Sequence, residues 1–250
     1  MQISFFEEFP TKENLKKLTL IPKKTNLFLA AKSIQEFQST SNTTHQQYPN
    51  KIKQIVYWPI LKRSEGYWIS PFSNNKALQR IFKELENKTF PVMLDLELPT
   101  TQNPLLFITQ LPYFIINKHQ IRKFINHYQG PVYLCEYPLS SAFSISITNL
   151  LGLHYNNKHV KIMKMQYRSL HHISNQTFKN KITSNQKKYP NRFIPGIGTT
   201  ATGIHQNEPI LSPQNLKRDL QILKDLNIQE TVIFRLGGLT KEHIKIMKSF

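Results

Sequence analysis

Short apolar runs rich in Val, Ile, Phe and Tyr alternate along the chain with longer polar or amphipathic stretches, and turn residues mark the joins. Strand-length runs of β-branched and aromatic residues separated by stretches with a helical period are the signature of βα units. Eight such runs occur, at residues 2–6, 26–31, 54–58, 91–98, 131–137, 160–167, 192–197 and 230–236. Between them, Ser73 is positioned to cap a helix over 76–85, and Asn117 to cap an amphipathic helix over 119–128 that closes at Gly130. Ser212 followed by Pro213 is a strong start signal, because proline at the first helical position gives up a donor the helix does not need. Leu216, Leu220, Leu223 and Leu226 then fall on one face, and Thr240 opens a last helix over 240–250.

Eight β units alternating with helices and ending in a helix predict the α/β class. The expected architecture is a closed (β/α)8 TIM barrel forming a single domain over residues 1–250, a usual size for that fold. A doubly wound sheet is the alternative. It would want a glycine-rich turn after the first strand, and Phe5-Phe6-Glu7-Glu8-Phe9-Pro10 has none. No repeat of 20 to 50 residues and no linker rich in Gly, Ser or Pro divides the chain.

Composition narrows the picture. Hydrophobic residues make up 39%, with 16 Phe and 10 Tyr, which is enough apolar surface for a core and excludes a disordered chain. Lys and Arg number 33 against 15 Asp and Glu, a formal net charge of +18. Such a field attracts nucleic acid, anionic membrane or acidic substrates. The basic pairs Lys16-Lys17, Lys23-Lys24, Lys62-Arg63 and Lys187-Lys188 are dispersed, however, as on solvated helix faces, so any nucleic-acid binding is expected to be non-specific. The single cysteine, Cys135, excludes an intrachain disulfide, fits a reducing compartment and reads as a buried strand residue. Glu7 and Glu8 stand where a signal peptide would be basic and then apolar, and no apolar run approaches 18 residues. A cytoplasmic protein without a membrane partner is expected.

In a barrel of this kind chemistry sits at the C-terminal ends of the strands. Those ends read Glu7 and Glu8, Lys32, Trp58, Asp95 and Glu97, Glu136, Tyr167, a glycine-rich turn and Arg235. The sharpest feature is Pro91-Val92-Met93-Leu94-Asp95-Leu96-Glu97-Leu98-Pro99. Alternation along a strand would turn Leu94, Leu96 and Leu98 to the helices and Asp95 and Glu97 to the barrel interior. Two carboxylates held close leave one protonated beside an ionised partner, which general acid catalysis requires. They could instead pair with Lys32 or Arg235 and fill the barrel mouth. The cost of burying carboxylates favours function.

Glu136 on the next strand adds a third carboxylate, an acid or a base. Oxygen ligands from Asp95, Glu97 and Glu136 would suit Mg or Mn, but no histidine lies at a neighbouring strand end, so a site without metal or cofactor is preferred. Tyr167 can donate to a substrate oxygen or stand as a rim aromatic. Trp58, with Tyr67 and Trp68, offers a platform for a sugar ring or simply fills core. Of 8 glycines, Gly196, Gly198, Gly203, Gly237 and Gly238 cluster after the seventh and eighth strands. There they could present backbone N–H groups to an anion beside Arg235, or merely form tight turns.

Asp95-Leu96-Glu97 on the fourth run and Met165-Gln166-Tyr167 on the sixth resemble shortened signatures of the family 18 glycoside hydrolases, the chitinase-like barrels. The resemblance implies Glu97 as acid/base, Asp95 as the residue that orients a substrate acetamido group, and Tyr167 as support for the intermediate. The family's earlier aspartates fall here on Met93 and Pro91, Arg168 stands where an aspartate usually follows the tyrosine, and Trp58-Pro59-Ile60 replaces a glycine pair. Hydrolysis of a glycosidic bond in a saccharide or other small molecule is thus the first expected function. The alternatives are a barrel acting on a phosphorylated small molecule, with the anion on Gly196, Gly198, Gly237 and Gly238, and a basic nucleic-acid-binding protein.

The stretch 99–117 exceeds the roughly 2 to 6 residues of an ordinary βα loop. It is expected to fold over the barrel mouth beside Asp95 and Glu97, presenting Phe107, Tyr113 or Phe114 to substrate. The alternative is a short helix over 105–111 packed on the outside.

Overall fold

The computed structural model describes residues 1–139 and 141–250. Its strands are β1 (Gln2–Glu7), β2 (Thr25–Ala31), β3 (Ile52–Pro59), β4 (Val92–Asp95), β5 (Val132–Glu136), β6 (Val160–Met165), β7 (Phe193–Thr199) and β8 (Glu230–Phe234). They close in chain order into one parallel barrel, β1 pairing with both β2 and β8. That double pairing is what a doubly wound sheet lacks, since its first strand would not meet its last. All eight runs read from the sequence are strands, in the expected order.

Among the described residues the helices are α1 (Lys12–Lys16), α2 (Ile34–Gln47), α3 (Asn75–Glu84), α4 (Leu106–Thr109), α5 (Phe114–His127), α6 (Ala142–Leu150), α7 (Asn175–Lys188), α8 (Pro213–Asp225) and α9 (Lys241–Met247). Ser212 caps α8 by accepting from the Asn215 amide, with Pro213 in the first turn, and Thr240 caps α9 through the His243 amide. Two expected caps are corrected. Asn74, not Ser73, caps α3, accepting from the Ala77 amide, while the buried Ser73 hydroxyl donates to the Trp68 carbonyl at 2.7 Å. Asn117 is an interior residue of α5, fully buried, donating to the carbonyls of Pro71 and Ser73 and accepting from Asn75 at 2.7 Å. A mid-helix asparagine satisfied by distant partners carries the same letter as a cap, and only the tertiary bonds separate the two.

The strand ends also move. β4 stops at Asp95, three residues before the expected end, because Leu96 makes a last ladder bond to the Cys135 carbonyl and the Glu97 amide then turns back to the Asp95 carbonyl at 3.2 Å. Strict alternation therefore does not extend to Glu97. The long stretch after β4 is not a structureless loop: it holds α4, a 3-10 turn at Leu111–Tyr113 and the start of α5. Phe107 and Phe114 pack their rings on Phe72, 4.8 and 4.9 Å between centroids, while Tyr113 is exposed.

Contacts divide the chain into two compact units, one of Met1–Ala30, Ser39–Val56 and Lys164–Phe250, the other of Ala31–Gln38 and Tyr57–Met163. In the first unit Phe6 packs on Phe28, at 5.4 Å, and on Phe234, at 6.2 Å. In the second, Phe37 stacks on Tyr57 at 4.7 Å and leans on Phe90. No helix among the described residues is long and apolar enough to cross a membrane.

Candidate active site

The sequence-derived candidates fall into both units. Trp58, Asp95, Glu97 and Glu136 lie in the second; Tyr167, Arg235, Gly196, Gly198, Gly237 and Gly238 lie in the first.

In the second unit, β4 and β5 run in register with Asp95 opposite Cys135. The Cys135 thiol is fully buried, and its pKa is pushed well up by that burial, then by the negative charge of Asp95, Glu97 and Glu136 and by a hydrogen bond with Asp95. Three carboxylates thus gather about one inert thiol. Asp95 and Glu136 are 5% and 1% exposed, whereas Glu97, just past the strand, is half-buried and the best placed of the three to meet a ligand.

Two residues the sequence did not single out complete this cluster. Glu136 Oε2 lies 2.9 Å from His154 Nδ1, both side chains buried. Tyr137 accepts a hydrogen bond from the Leu98 amide at 3.1 Å. Its phenol pKa is raised by burial and then by Glu97, with the Leu98 amide opposing and Asp95 adding to the rise, so the hydroxyl keeps its proton beside the carboxylates. Tyr137 directly follows a candidate strand end, a signal that was present. His154 comes from the coil after α6, where no strand-end rule points. Trp58, Tyr67 and Trp68 are 3%, 3% and 6% exposed, which makes them core rings; stacking a sugar on Trp58 would require a neighbouring segment to move.

In the first unit the end of β1 holds a different ion pair. Glu7 is fully buried; its Oε1 accepts from Arg235 at 3.0 Å, the Phe9 amide at 2.9 Å and Asn14 at 3.3 Å, and its Oε2 accepts from the Gly237 amide at 2.7 Å. Burial raises the Glu7 pKa, against the lowering influence of Arg235 and of the Phe9 and Gly237 amides. Arg235 also donates to the Thr202 carbonyl at 3.0 Å and covers the Phe9 ring at 4.9 Å. The Gly237 amide and Arg235, expected to receive a ligand anion, are therefore occupied by the protein's own carboxylate.

The remaining glycines answer to backbone geometry. Gly196 sits in β7 opposite Val232. Gly198 has φ +57 at the irregularity between Ile197 and Thr199, a conformation that disfavours a side chain. Gly238 lies against the Thr200 carbonyl, where a Cβ would come within 2.1 Å. Gly203 donates to Glu208 at 3.0 Å and adjoins the Glu8 carboxylate.

Tyr167, two residues past β6, is 8% exposed with its ring 6.1 Å from that of Phe234. Arg168 donates to Asp219 at 2.7 Å, to the Ile173 carbonyl at 3.0 Å and to Asn175 at 2.9 Å, and lies over Phe178. Its departure from the family signature thus has a structural use, tying the segment after β6 to α8. Among the described residues no group of three or more His, Cys, Asp or Glu side chains is arranged to hold a metal ion.

Fold and cluster together define a (β/α)8 barrel with carboxylates at adjacent strand ends. The chain matches no protein-family profile and no curated protein. Its fold is similar to three solved structures. The PgaB (BpsB) glycoside hydrolase domain from Bordetella bronchiseptica is 10% identical with a TM-score of 0.54, over 93% of each chain. A GH18 chitinase from Pseudoalteromonas aurantia is 12% identical with a TM-score of 0.54, over 100% of this chain and 98% of that one. The 3-keto-D-glucoside 4-epimerase YcjR from E. coli is 11% identical with a TM-score of 0.53, over the whole of both chains. At these identities the likeness is one of fold.

Proposed function

We propose that the protein hydrolyses glycosidic bonds in a saccharide, with Glu97 as proton donor. The observation that carries this reading is one half-buried carboxylate, Glu97, beside the buried Asp95 and Glu136 and the protonated hydroxyl of Tyr137. Two of the structures similar in fold are a chitinase and a glycoside hydrolase domain, and the third acts on a glucoside, which supports a saccharide as substrate class.

In the proposed reaction the Glu97 carboxyl gives its proton to the glycosidic oxygen as the bond from that oxygen to the anomeric carbon breaks. Positive charge then develops on the sugar ring. Asp95, two residues before Glu97 in the chain, orients the substrate group that steadies this charge, as the family resemblance implies. Water adds to the anomeric carbon and returns a proton to Glu97, leaving two free sugar ends. Glu136, tied to His154, acts as a positioning residue for the strand end. The phosphorylated-substrate alternative loses support because Arg235 and the Gly237 amide are engaged by Glu7.

The test is turnover of a panel of aryl glycosides and chitooligosaccharides by the wild type and by Glu97→Gln. Wild-type activity on at least one chitooligosaccharide or glycoside of a poorly acidic phenol, lost in the variant at unchanged melting temperature, is the expected result. A variant as active as wild type on those substrates, or a wild type inert on every substrate, overturns the proposal.

A further inference from the structure

Among the described residues thirteen large apolar side chains are exposed, and ten of them fall between Leu105 and Leu150. Leu105, Ile108 and Leu111 recur every third residue across α4 and the 3-10 turn, forming one stripe at 60%, 72% and 62% exposure. Ile115 and Ile116 continue it on the first turn of α5. On α6, Phe143, Ile147 and Leu150 follow at helical spacing, Phe143 being 76% exposed. The Lys118 ammonium donates to the Leu150 carbonyl at 2.8 Å, which ties the end of α6 to the opening turns of α5. An apolar surface of this extent marks an interaction face, since scattered exposure is the rule elsewhere.

Charge decides what covers it. From Leu98 to Met163, within the second unit, the chain carries five Lys and Arg and a single acidic residue, Glu136, which is buried. Arg122 and Lys123 are exposed on α5, and Lys62 and Arg63 are exposed on a loop joined to the segment before α4 by the Asn103 bond to the Ser64 carbonyl, 2.9 Å. The acid of that loop, Glu65, is held by Arg80 at 3.1 Å. A second copy would bring the same cations face to face. A nucleic acid would leave aliphatic Leu and Ile side chains without apolar partners. A sheet of anionic headgroups over hydrocarbon satisfies both features at once.

We infer that this face docks peripherally on an anionic membrane surface, inserting the α4 and α6 apolar side chains between headgroups while the flanking lysines and arginines meet lipid phosphates. This departs from the expectation of no membrane partner and does not depend on the proposed hydrolysis.

The full chain is mixed with sucrose-loaded vesicles of phosphatidylcholine alone and of phosphatidylcholine with 30% phosphatidylglycerol, and pelleted. The expected result is binding to the anionic vesicles only, weakened by salt, and reduced on the order of tenfold by the Phe143→Ser/Leu150→Ser double substitution at unchanged melting temperature. Arg122→Gln/Lys123→Gln should lower it by a similar factor. Absence of binding to anionic vesicles overturns the inference. So does binding indifferent to Phe143→Ser/Leu150→Ser, which would signify bulk charge alone. Sedimentation of the wild type as a dimer that this substitution splits would assign the face to a second copy and overturn it equally.

Discussion

Replacing Arg168 by Met probes a buried ion pair in the first unit. The guanidinium and the Asp219 carboxylate are 5% and 1% exposed, and Arg168 makes bonds to Asp219, Ile173 and Asn175 that the thioether cannot. Among the described residues Asp219 would keep only Arg218 as an ion-pair partner, at 3.3 Å from a side chain 39% exposed. Removing one partner of a buried pair costs about 3–5 kcal/mol, and the surviving Arg218 contact places Arg168→Met near the lower end, about 3 kcal/mol. For a chain of this size that corresponds to a fall in melting temperature of roughly 6–12 °C. Burial holds the Asp219 pKa up, against Arg168 and Arg218, so part of the loss will be relieved by protonation as the pH is lowered. The double substitution Arg168→Met/Asp219→Leu removes the stranded charge along with its partner and should return to within about 1 kcal/mol of wild type. Urea titrations of all four proteins measure the cycle. A loss below about 1 kcal/mol in Arg168→Met, or a double variant as unstable as the sum of the singles, would refute the assignment of Arg168 to structure.

His243 makes a pH prediction. Burial lowers its pKa below 6.5, against the Leu211 backbone and Glu242, so it contributes stability at pH above 6.5 that is lost as the pH falls through the folded value. His243→Gln keeps a capping-box residue for Thr240 and removes the titration, so the drop in melting temperature between pH 7 and 5.5 should shrink; an unchanged drop counts against the reasoning. His154→Leu removes a hydrogen-bond partner from the buried Glu136 carboxylate and should destabilise by about 2 kcal/mol in thermal melts, and stability equal to wild type would show the pair to be idle. Because Glu7 already fills the Gly237 amide and Arg235, calorimetric titration with inorganic phosphate should show no saturable binding in the low millimolar range. Saturable binding lost in Arg235→Gln would revive the phosphorylated-substrate reading.

The barrel was legible because it is written in local signals. Each strand is a short, mostly apolar run, and the Ser212-Pro213 and Thr240 caps act within one helical turn. The candidate site was legible only as far as strand periodicity holds. Asp95 and Glu136 stand at the last residues of β4 and β5, but Glu97 reaches the cluster through a turn at Asp95 rather than by alternation. The pairs that remained hidden join distant parts of the chain: His154 to Glu136, Arg168 to Asp219 across 51 residues, and Glu7 to the Gly237 amide across 230. No period or spacing encodes such partners. The Asn117 cap signal failed for the same reason, its amide being used by carbonyls more than forty residues away.

The central claim is that Glu97 protonates the leaving group, and a leaving-group series tests it most directly. For aryl glycosides of the sugar that the wild type accepts, kcat/KM of Glu97→Gln relative to wild type is plotted against the acidity of the departing phenol. A good leaving group such as 2,4-dinitrophenol needs no proton and should depart from the variant at nearly the wild-type rate, while poorly acidic phenols lose on the order of 10²- to 10⁴-fold. A steep dependence on leaving-group acidity, seen in Glu97→Gln and not in wild type, is the predicted result. A loss of equal size across the whole series would contradict it, because Glu97 would then matter for something other than giving that proton.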